Sequence, residues 1–365
     1  MKQKVKYGLF EYTTENIGDE VQSIAARRFL PRIDYYFNRD NIDATKTQPD
    51  ETIKLIMNGW YTHNPENWPP KNTNISPLLI AMHIEQDALN GAPAKVFISP
   101  QSKTFLNKFG PVGARNYPTL ELFQKNDIKS YFSGCITLTL NPDPQVKKQN
   151  YVLAVDVPDN IYDTMLKNTS RPIIRLDTNR KRNLDRETRF LLAEFWLYLY
   201  QSAHAIITTR LHTMLPCLAF KTPVLAISGR DPKRYRGLID LTNYATAEEY
   251  IRNPNIFNLN HPPKNPNQYI RLRKNLERRC KSFTEYDSNK SYLNGKTINE
   301  LLKNPKILQF FVNAALDTWT LEEINGKMLA LKNQLNTPSP TQPLGIKAST
   351  KSLITAINRK IKSKI

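Results

Sequence analysis

The sequence predicts an α/β protein built as two lobes facing one another across a cleft. Three observations carry that prediction. Short apolar runs rich in β-branched residues alternate with stretches of helical period, the pattern of strands and helices in parallel sheets. The alternation runs twice, on either side of Asn141-Pro142-Asp143-Pro144 and Lys147-Lys148-Gln149-Asn150, which have the composition of an interdomain linker. In both series, ligand-type side chains fall just after a strand, where the carboxyl ends of parallel strands open onto a crevice.

The chain has 365 residues, long for one core and comfortable for two domains. The expected division is 1–145 for a first lobe, 146–290 for a second, and 291–365 for a helical extension ending in a basic amphipathic tail. Hydrophobic residues make up 40% and charged residues 23%, which excludes wholesale disorder and fibrous repeats. Lys and Arg number 52 against 33 Asp and Glu, a net charge of +19 that favours phosphorylated metabolites, nucleic acid or an anionic membrane surface. Charge alone does not choose among them. Cys135, Cys217 and Cys280 are odd in number and widely spaced, so they offer neither a disulfide framework nor paired metal-ligand spacing. The basic start Met1 to Phe10 lacks an apolar stretch of signal-peptide length, and no run approaches the roughly 20 apolar residues that span a bilayer. A reducing, cytoplasmic setting is expected.

In the first series, Lys4 to Phe10 reads as a strand. Asn16-Ile17-Gly18-Asp19-Glu20 then opens a helix in which Val21, Ile24, Ala25, Phe29 and Leu30 recur at helical spacing. Gly18-Asp19-Glu20 reads either as a turn glycine with helix-capping acids or as a ligand loop whose backbone and side chains meet a substrate. Further strands are expected at Ile33 to Phe37, Ile53 to Met57, Pro77 to Met82 and Lys95 to Ile98, and Ser130 to Cys135 with Ile136 to Leu140 completes the first series. Asn58-Gly59-Trp60 and His83 follow two of these strands. The segment Tyr61 to Ser76, entered from Trp60 and carrying Tyr61 and Trp68, reads either as a loop held by its own aromatics or as a platform for sugar rings. His63 has no sequence partner, and His83 suits a buried structural role as well as a functional one. A short strand ends at Arg115, before a helix over Leu120 to Lys125; this position suits a cap or an anion ligand.

The second series begins at Tyr151 to Asp156 and Pro172 to Leu176, continues through a broadly apolar helix at Arg186 to Ser202, and reaches Ala203 to Phe220. There an apolar β-branched run breaks at Thr209-Arg210-Leu211-His212, resumes at helical period, and gives way to a further strand at Val224 to Ile227. A guanidinium and an imidazole beside a helix N-terminus suit an acidic substrate, although a salt-bridged arginine and a capping histidine fit the same positions. Beyond Gly229-Arg230-Asp231 the pattern is weaker. Ile270 to Phe283 reads as a helix carrying Arg271, Arg273, Lys274, Arg278, Arg279 and Lys281. After Thr337 to Pro343, the residues Leu353, Ile354, Ile357, Ile361 and Ile365 alternate with Lys and Arg. That pattern suits either an interfacial amphipathic helix or a disordered basic tail.

Five stretches in order resemble the polysaccharide pyruvyl transferase family: Asn16-Ile17-Gly18-Asp19-Glu20-Val21-Gln22-Ser23 with Phe29-Leu30-Pro31; Asn58-Gly59-Trp60; Val112-Gly113-Ala114-Arg115; Tyr131-Phe132-Ser133-Gly134-Cys135; and Thr209-Arg210-Leu211-His212 with Leu215-Pro216-Cys217. The resemblance runs from about Tyr7 to Ile239. It implies two facing Rossmann-like lobes, similar to the GT-B glycosyltransferases, and an enzyme that transfers pyruvate from phosphoenolpyruvate to two sugar hydroxyls as a ketal. The acceptor it implies is a surface polysaccharide or a lipid-linked oligosaccharide precursor. Under this resemblance His212 is the general acid and Arg115 a catalytic anion ligand. Arg210, Leu211, Asn16, Gly18, Asp19, Glu20, Asn58, Gly59 and His83 are substrate-binding. Phosphoenolpyruvate is a substrate, and no cofactor or metal is called for. Asn116 departs from the family, whose members often carry Asp after the arginine. The basic tail adds the expectation of peripheral contact with the inner membrane face. A nucleotide-sugar glycosyltransferase is the alternative, followed by a non-catalytic carbohydrate-binding protein; nucleic acid is not expected, for lack of a basic-aromatic motif.

Overall fold

The computed structural model describes residues 4–178, 184–228 and 232–288. The first lobe is a six-stranded sheet of β1 (Lys4–Glu11), β2 (Tyr35–Asn38), β3 (Glu51–Trp60), β4 (Ile75–His83), β5 (Val112–Ala114) and β6 (Ser130–Phe132), in the order β2-β1-β3-β4-β5-β6. Every neighbouring pair is parallel. The second lobe repeats the scheme with β7 (Val152–Val155), β8 (Ile173–Leu176), β9 (Ala205–Thr208), β10 (Val224–Ile227) and β11 (Asn243–Ala245), ordered β11-β10-β9-β7-β8 and again all parallel. In both sheets the chain starts in the interior, steps to one side, and returns past its first strand. This creates a switch point, at β1/β3 in one lobe and β7/β9 in the other, where diverging connections leave a crevice at the carboxyl ends.

The expected two-lobed α/β architecture is therefore present, but the lobes are not separate bodies. Helix α1 (Gly18–Arg27) is buried from Gly18 to Ala26 and packs against α6 (Arg186–Ser202) and α7 (Leu211–Phe220) of the second lobe. One apolar core runs through both halves, joining Ile17, Ile24 and Phe29 to Trp196, Leu197 and Leu215. Two further cores fill the outer faces, around Phe37, Trp68 and Phe97 in the first lobe and Ile161, Tyr250 and Phe257 in the second. Helix α9 (Tyr269–Thr284) returns to the first lobe, packing on the 3-10 turn Ile136–Thr139. Arg28 ties this return together, donating to the Thr139 carbonyl at 2.6 Å, to Glu277 at 2.8 Å and to Asp287 at 2.9 Å.

One expected strand takes another form. Lys95 to Ile98 lies in and just after helix α2 (Ala92–Phe97), because left-handed Gly91 and Pro93 in the first turn start a helix that overrides the β-preference of Val96-Phe97-Ile98. Ile136 to Leu140 forms a 3-10 turn buried under α1, α7 and α9. The extension from 291, its amphipathic tail and Gly229-Arg230-Asp231 lie outside the described residues. Among the described residues no helix is long and apolar enough to cross a membrane.

Candidate active site

The two switch points face each other, and segments leaving β1, β5, β8 and β9 build one pocket. After β1, the Asn16 side chain accepts from the Gly18 N–H at 2.9 Å, shaping the turn into α1. Gly18 is required by what stands over it: a Cβ there would lie 2.9 Å from Nδ1 of His212. His212 occupies the first turn of α7, with Arg210 at the cap and the Arg210 N–H donating to Thr208 Oγ1 at 3.0 Å. Asp156, at the end of β7, holds Arg210 Nε at 3.0 Å and accepts from the Thr178 hydroxyl at 2.5 Å. The second lobe thus anchors its arginine to a carboxylate.

The first lobe does not. Arg115 leaves the end of β5, its N–H bonded to the Met82 carbonyl at 2.8 Å, and its side chain is only 2% exposed. Its Nε and Nη1 meet no hydrogen-bond acceptor among the described residues. Burial pushes this guanidinium down to about 10, so it stays charged at neutral pH. Asn116 accepts from the Thr119 N–H at 3.2 Å as the cap of α4 (Tyr117–Gln124), and its Nδ2 donates to the Arg234 carbonyl at 3.2 Å. An aspartate here could cap the helix but could not make the second bond.

Arg234 reaches across the lobe junction. Its guanidinium lies 4.6 Å from the Trp60 ring centroid and 3.5 Å from Glu85, while flanking Lys233 and Arg236 pair with Asp87 and Glu121 of the first lobe. Tyr235 donates its hydroxyl to the Thr209 carbonyl at 2.9 Å. Buried Arg39 closes the far side, 3.3 Å from Asp19, to which Thr14 also donates at 2.7 Å. Burial works to raise the Asp19 carboxyl, but Arg39, Thr14, His212 and Arg115 outweigh it and hold it below the ordinary carboxylate range.

Burial and these charges together set the state of His212. Burial, then the Arg115 guanidinium, with Arg234 and Arg39 adding and Asp19 opposing, hold its imidazole down to about 3. The ring is neutral at physiological pH, and its Nε2 has no hydrogen-bond partner among the described residues. Arg210, Arg234 and Arg39 each have a carboxylate within 3.5 Å, whereas Arg115 and the open imidazole nitrogen have no direct partner among the described residues, an arrangement that suits an anionic ligand. An anion placed on Arg115 and Arg234 would offset the arginines' share of this depression and leave burial opposed by Asp19.

Of the residues singled out from sequence, Asn16, Gly18, Asp19, Arg115, Arg210, Leu211 and His212 line this pocket together. Glu20 does not: it turns into the lobe junction, where Arg189 holds it through Nε at 2.6 Å and Nη2 at 3.0 Å. Asn58 and Gly59 also lie outside the lining. Gly59, at φ +143°, lets the Arg39 stem pass at 3.0 Å from where a Cβ would stand, so this pair shapes the site from behind. His83 borders a neighbouring cavity with Glu85 and Arg234, 6.3 Å in ring centroids from Trp60. Burial and Arg115 hold it down to about 4, and its Nε2 faces Glu85 at 3.5 Å. Of the expected aromatic platform only Trp60 reaches the pocket, with His63 packed edge-on to its ring; Tyr61 and Trp68 are core, Trp68 stacking on Phe97 at 4.4 Å. Arg39, Asp156, Thr178, Arg234 and Tyr235 were not anticipated. Arg39 and Asp156 carried a usable signal, each standing at a strand end like Arg115 and Arg210.

The profile of a family described as polysaccharide pyruvyl transferase matches residues 16–231, a span that holds every sequence-derived site residue. No curated protein matches the chain. Among solved structures, a Klebsiella pneumoniae protein of uncharacterised function is similar at 13% identity and a TM-score of 0.45, over 67% of this chain and 94% of that one. The UDP-GlcNAc 2-epimerase of Methanocaldococcus jannaschii, in complex with UDP-GlcNAc and UDP, is similar at 11% identity and a TM-score of 0.38, over 74% and 98% respectively. With more than half of its length matched by that profile, this chain belongs to the polysaccharide pyruvyl transferase family and is a transferase.

Proposed function

We propose that the pocket takes phosphoenolpyruvate as donor and moves its pyruvyl group onto two hydroxyls of a polysaccharide or its precursor, as a ketal. The observation that carries this reading is the buried Arg115 guanidinium, whose Nε and Nη1 meet no acceptor among the described residues, next to His212 with its Nε2 open. A planar fork recognises carboxylate or phosphate oxygens pairwise, and phosphoenolpyruvate offers both groups on one small frame. Arg115 and Arg210 take these anions from opposite lobes, and Arg234 closes over them from the junction.

Donor binding then prepares the acid. The incoming negative charge offsets the arginines, the imidazole gains a proton, and Asp19 stabilises the imidazolium. His212 donates that proton to the methylene carbon, leaving an oxocarbenium-like centre at the carbon bearing the phosphate. One acceptor hydroxyl adds there and returns a proton to His212. Phosphate departs with the proton of the second hydroxyl as that hydroxyl closes the ring, so one donor and one diol give a ketal and inorganic phosphate.

Calorimetric titration of phosphoenolpyruvate into the wild-type chain, Arg115→Ala and His212→Ala tests the assignment without knowledge of the acceptor. Binding to wild type and to His212→Ala, with loss in Arg115→Ala, is the expected result. No phosphoenolpyruvate binding, alongside saturable binding of a uridine or guanosine diphosphate sugar, would replace this reading with glycosyl transfer.

A further inference from the structure

A second cavity, of about 800 Å³, opens beside the pocket and shares no lining residue with it. One wall is aromatic: the rings of Tyr117 and Phe132 lie 4.6 Å apart at 41°. Gly237, at φ +86°, backs onto that wall so closely that a Cβ would come within 3.0 Å of the Tyr117 ring and 3.1 Å of Phe132. The other wall is α9. It presents Arg271, Lys274 and Arg278, spaced three and four residues apart and so on one helical face.

Other cations of the same helix are occupied. Arg273 bonds Glu277 at 3.0 Å and the Leu140 carbonyl at 2.9 Å, and Arg279 lies 3.9 Å above the Tyr131 ring. Arg271, Lys274 and Arg278 are exposed and form no ion pair among the described residues, although Arg278 donates to Asn275 at 3.0 Å and Asp240 borders the same cavity. Three like charges on one helix face repel unless something negative lies between them. A wall of aromatic rings opposite a row of cations fits an acidic saccharide, whose ring faces stack while its anionic groups meet the cations.

We propose that this groove seats an acidic stretch of the acceptor polysaccharide, its carboxylate, sulfate or phosphate groups on Arg271, Lys274 and Arg278. The place of the groove supports the assignment. Tyr117 follows pocket residue Arg115 by two positions, and Gly237 follows pocket residue Tyr235 by two; the Tyr117 N–H donates to the Arg236 carbonyl at 3.2 Å, joining the two segments. The three cations also lie beyond the segment that matches the family, which ends at 231. As an acceptor subsite the groove rests on the pocket being the transfer site.

The full chain, with phosphoenolpyruvate present at millimolar excess, is titrated with tetragalacturonate and with its methyl ester, the same sugar without charge. The acid form is expected to bind about tenfold more tightly than the ester. It should weaken with added salt and lose about tenfold in Arg271→Ser/Lys274→Ser/Arg278→Ser, whose exposed substitutions leave the fold intact. Equal binding of acid and ester, no binding of either, unchanged affinity in the triple variant, or tighter binding of a single-stranded oligonucleotide would each overturn the proposal. Phosphoenolpyruvate titrated alone into both chains separates the readings. If it binds both equally, a failure of the saccharide arm belongs to the groove; if it binds neither, the pocket assignment has failed.

Discussion

The two lobes share a strand order and a site position, yet they hold their arginines in opposite ways. Arg210 of the second lobe has a side chain 36% exposed and a carboxylate at 3.0 Å. Arg115 of the first lobe is 2% exposed, with two nitrogens unsatisfied. A buried guanidinium without a counter-ion costs several kcal/mol. A site kept in that state is organised for a ligand and is held at the expense of the fold.

The sharpest way to break this comparison is to replace each arginine with methionine. Arg115→Met should weaken phosphoenolpyruvate binding about 100-fold or more, while thermal stability without ligand stays level or rises by about 1 kcal/mol. Arg210→Met should cost about tenfold in binding and lower stability, because Asp156 loses its partner. Stability changes of the same sign in the two variants would remove the distinction.

A smaller effect concerns the proton. His212 sits near 3 in the free protein, against about 6.5 when unfolded. Between those values the unfolded chain carries the extra proton, so this residue's contribution destabilises the fold as pH falls from about 6.5 toward 3. Phosphoenolpyruvate should raise the folded value, so binding near pH 6 takes up protons, seen as a dependence of the calorimetric heat on buffer ionisation. His212→Asn should abolish the uptake and leave binding. Uptake unchanged in that variant would place the proton elsewhere.

The smallest change tests how closely the lobes meet. Gly18→Ala puts a methyl group 2.9 Å from His212 Nδ1. Turnover should fall about tenfold while phosphoenolpyruvate affinity moves little, since the imidazole shifts and the arginines stay. A split the other way would show that the first-lobe glycine serves the donor and not the acid.

Much of this was legible because a parallel sheet exposes whatever follows its strands. Arg115, Arg210 and His212 stand after short apolar runs, and the two switch points bring those ends together. Glu20 misled because adjacent helical residues point about 100° apart: Asp19 faces the pocket, so Glu20 faces α6. Arg39 and Asp156 obey the strand-end logic but end runs that read as complete strands. Arg234 follows no strand and no periodic run, so only the tertiary fold brings it over Trp60. Local propensity also failed at Lys95 to Ile98, where chain entry through Gly91 and Pro93 decided the conformation.

The apolar core that joins Ile24 and Phe29 to Trp196 and Leu215 bears on how divisible this enzyme is. By composition, residues 141–150 look like a place to cut. Yet the Asp143 N–H donates to Gln201 at 2.9 Å, Lys148 donates to Thr222 Oγ1 at 2.5 Å, and α9 closes back over the turn Ile136–Thr139. Either half alone would bare its side of that core. The halves are accordingly expected to unfold together, as one peak in scanning calorimetry, and two separate peaks would show them to be independent.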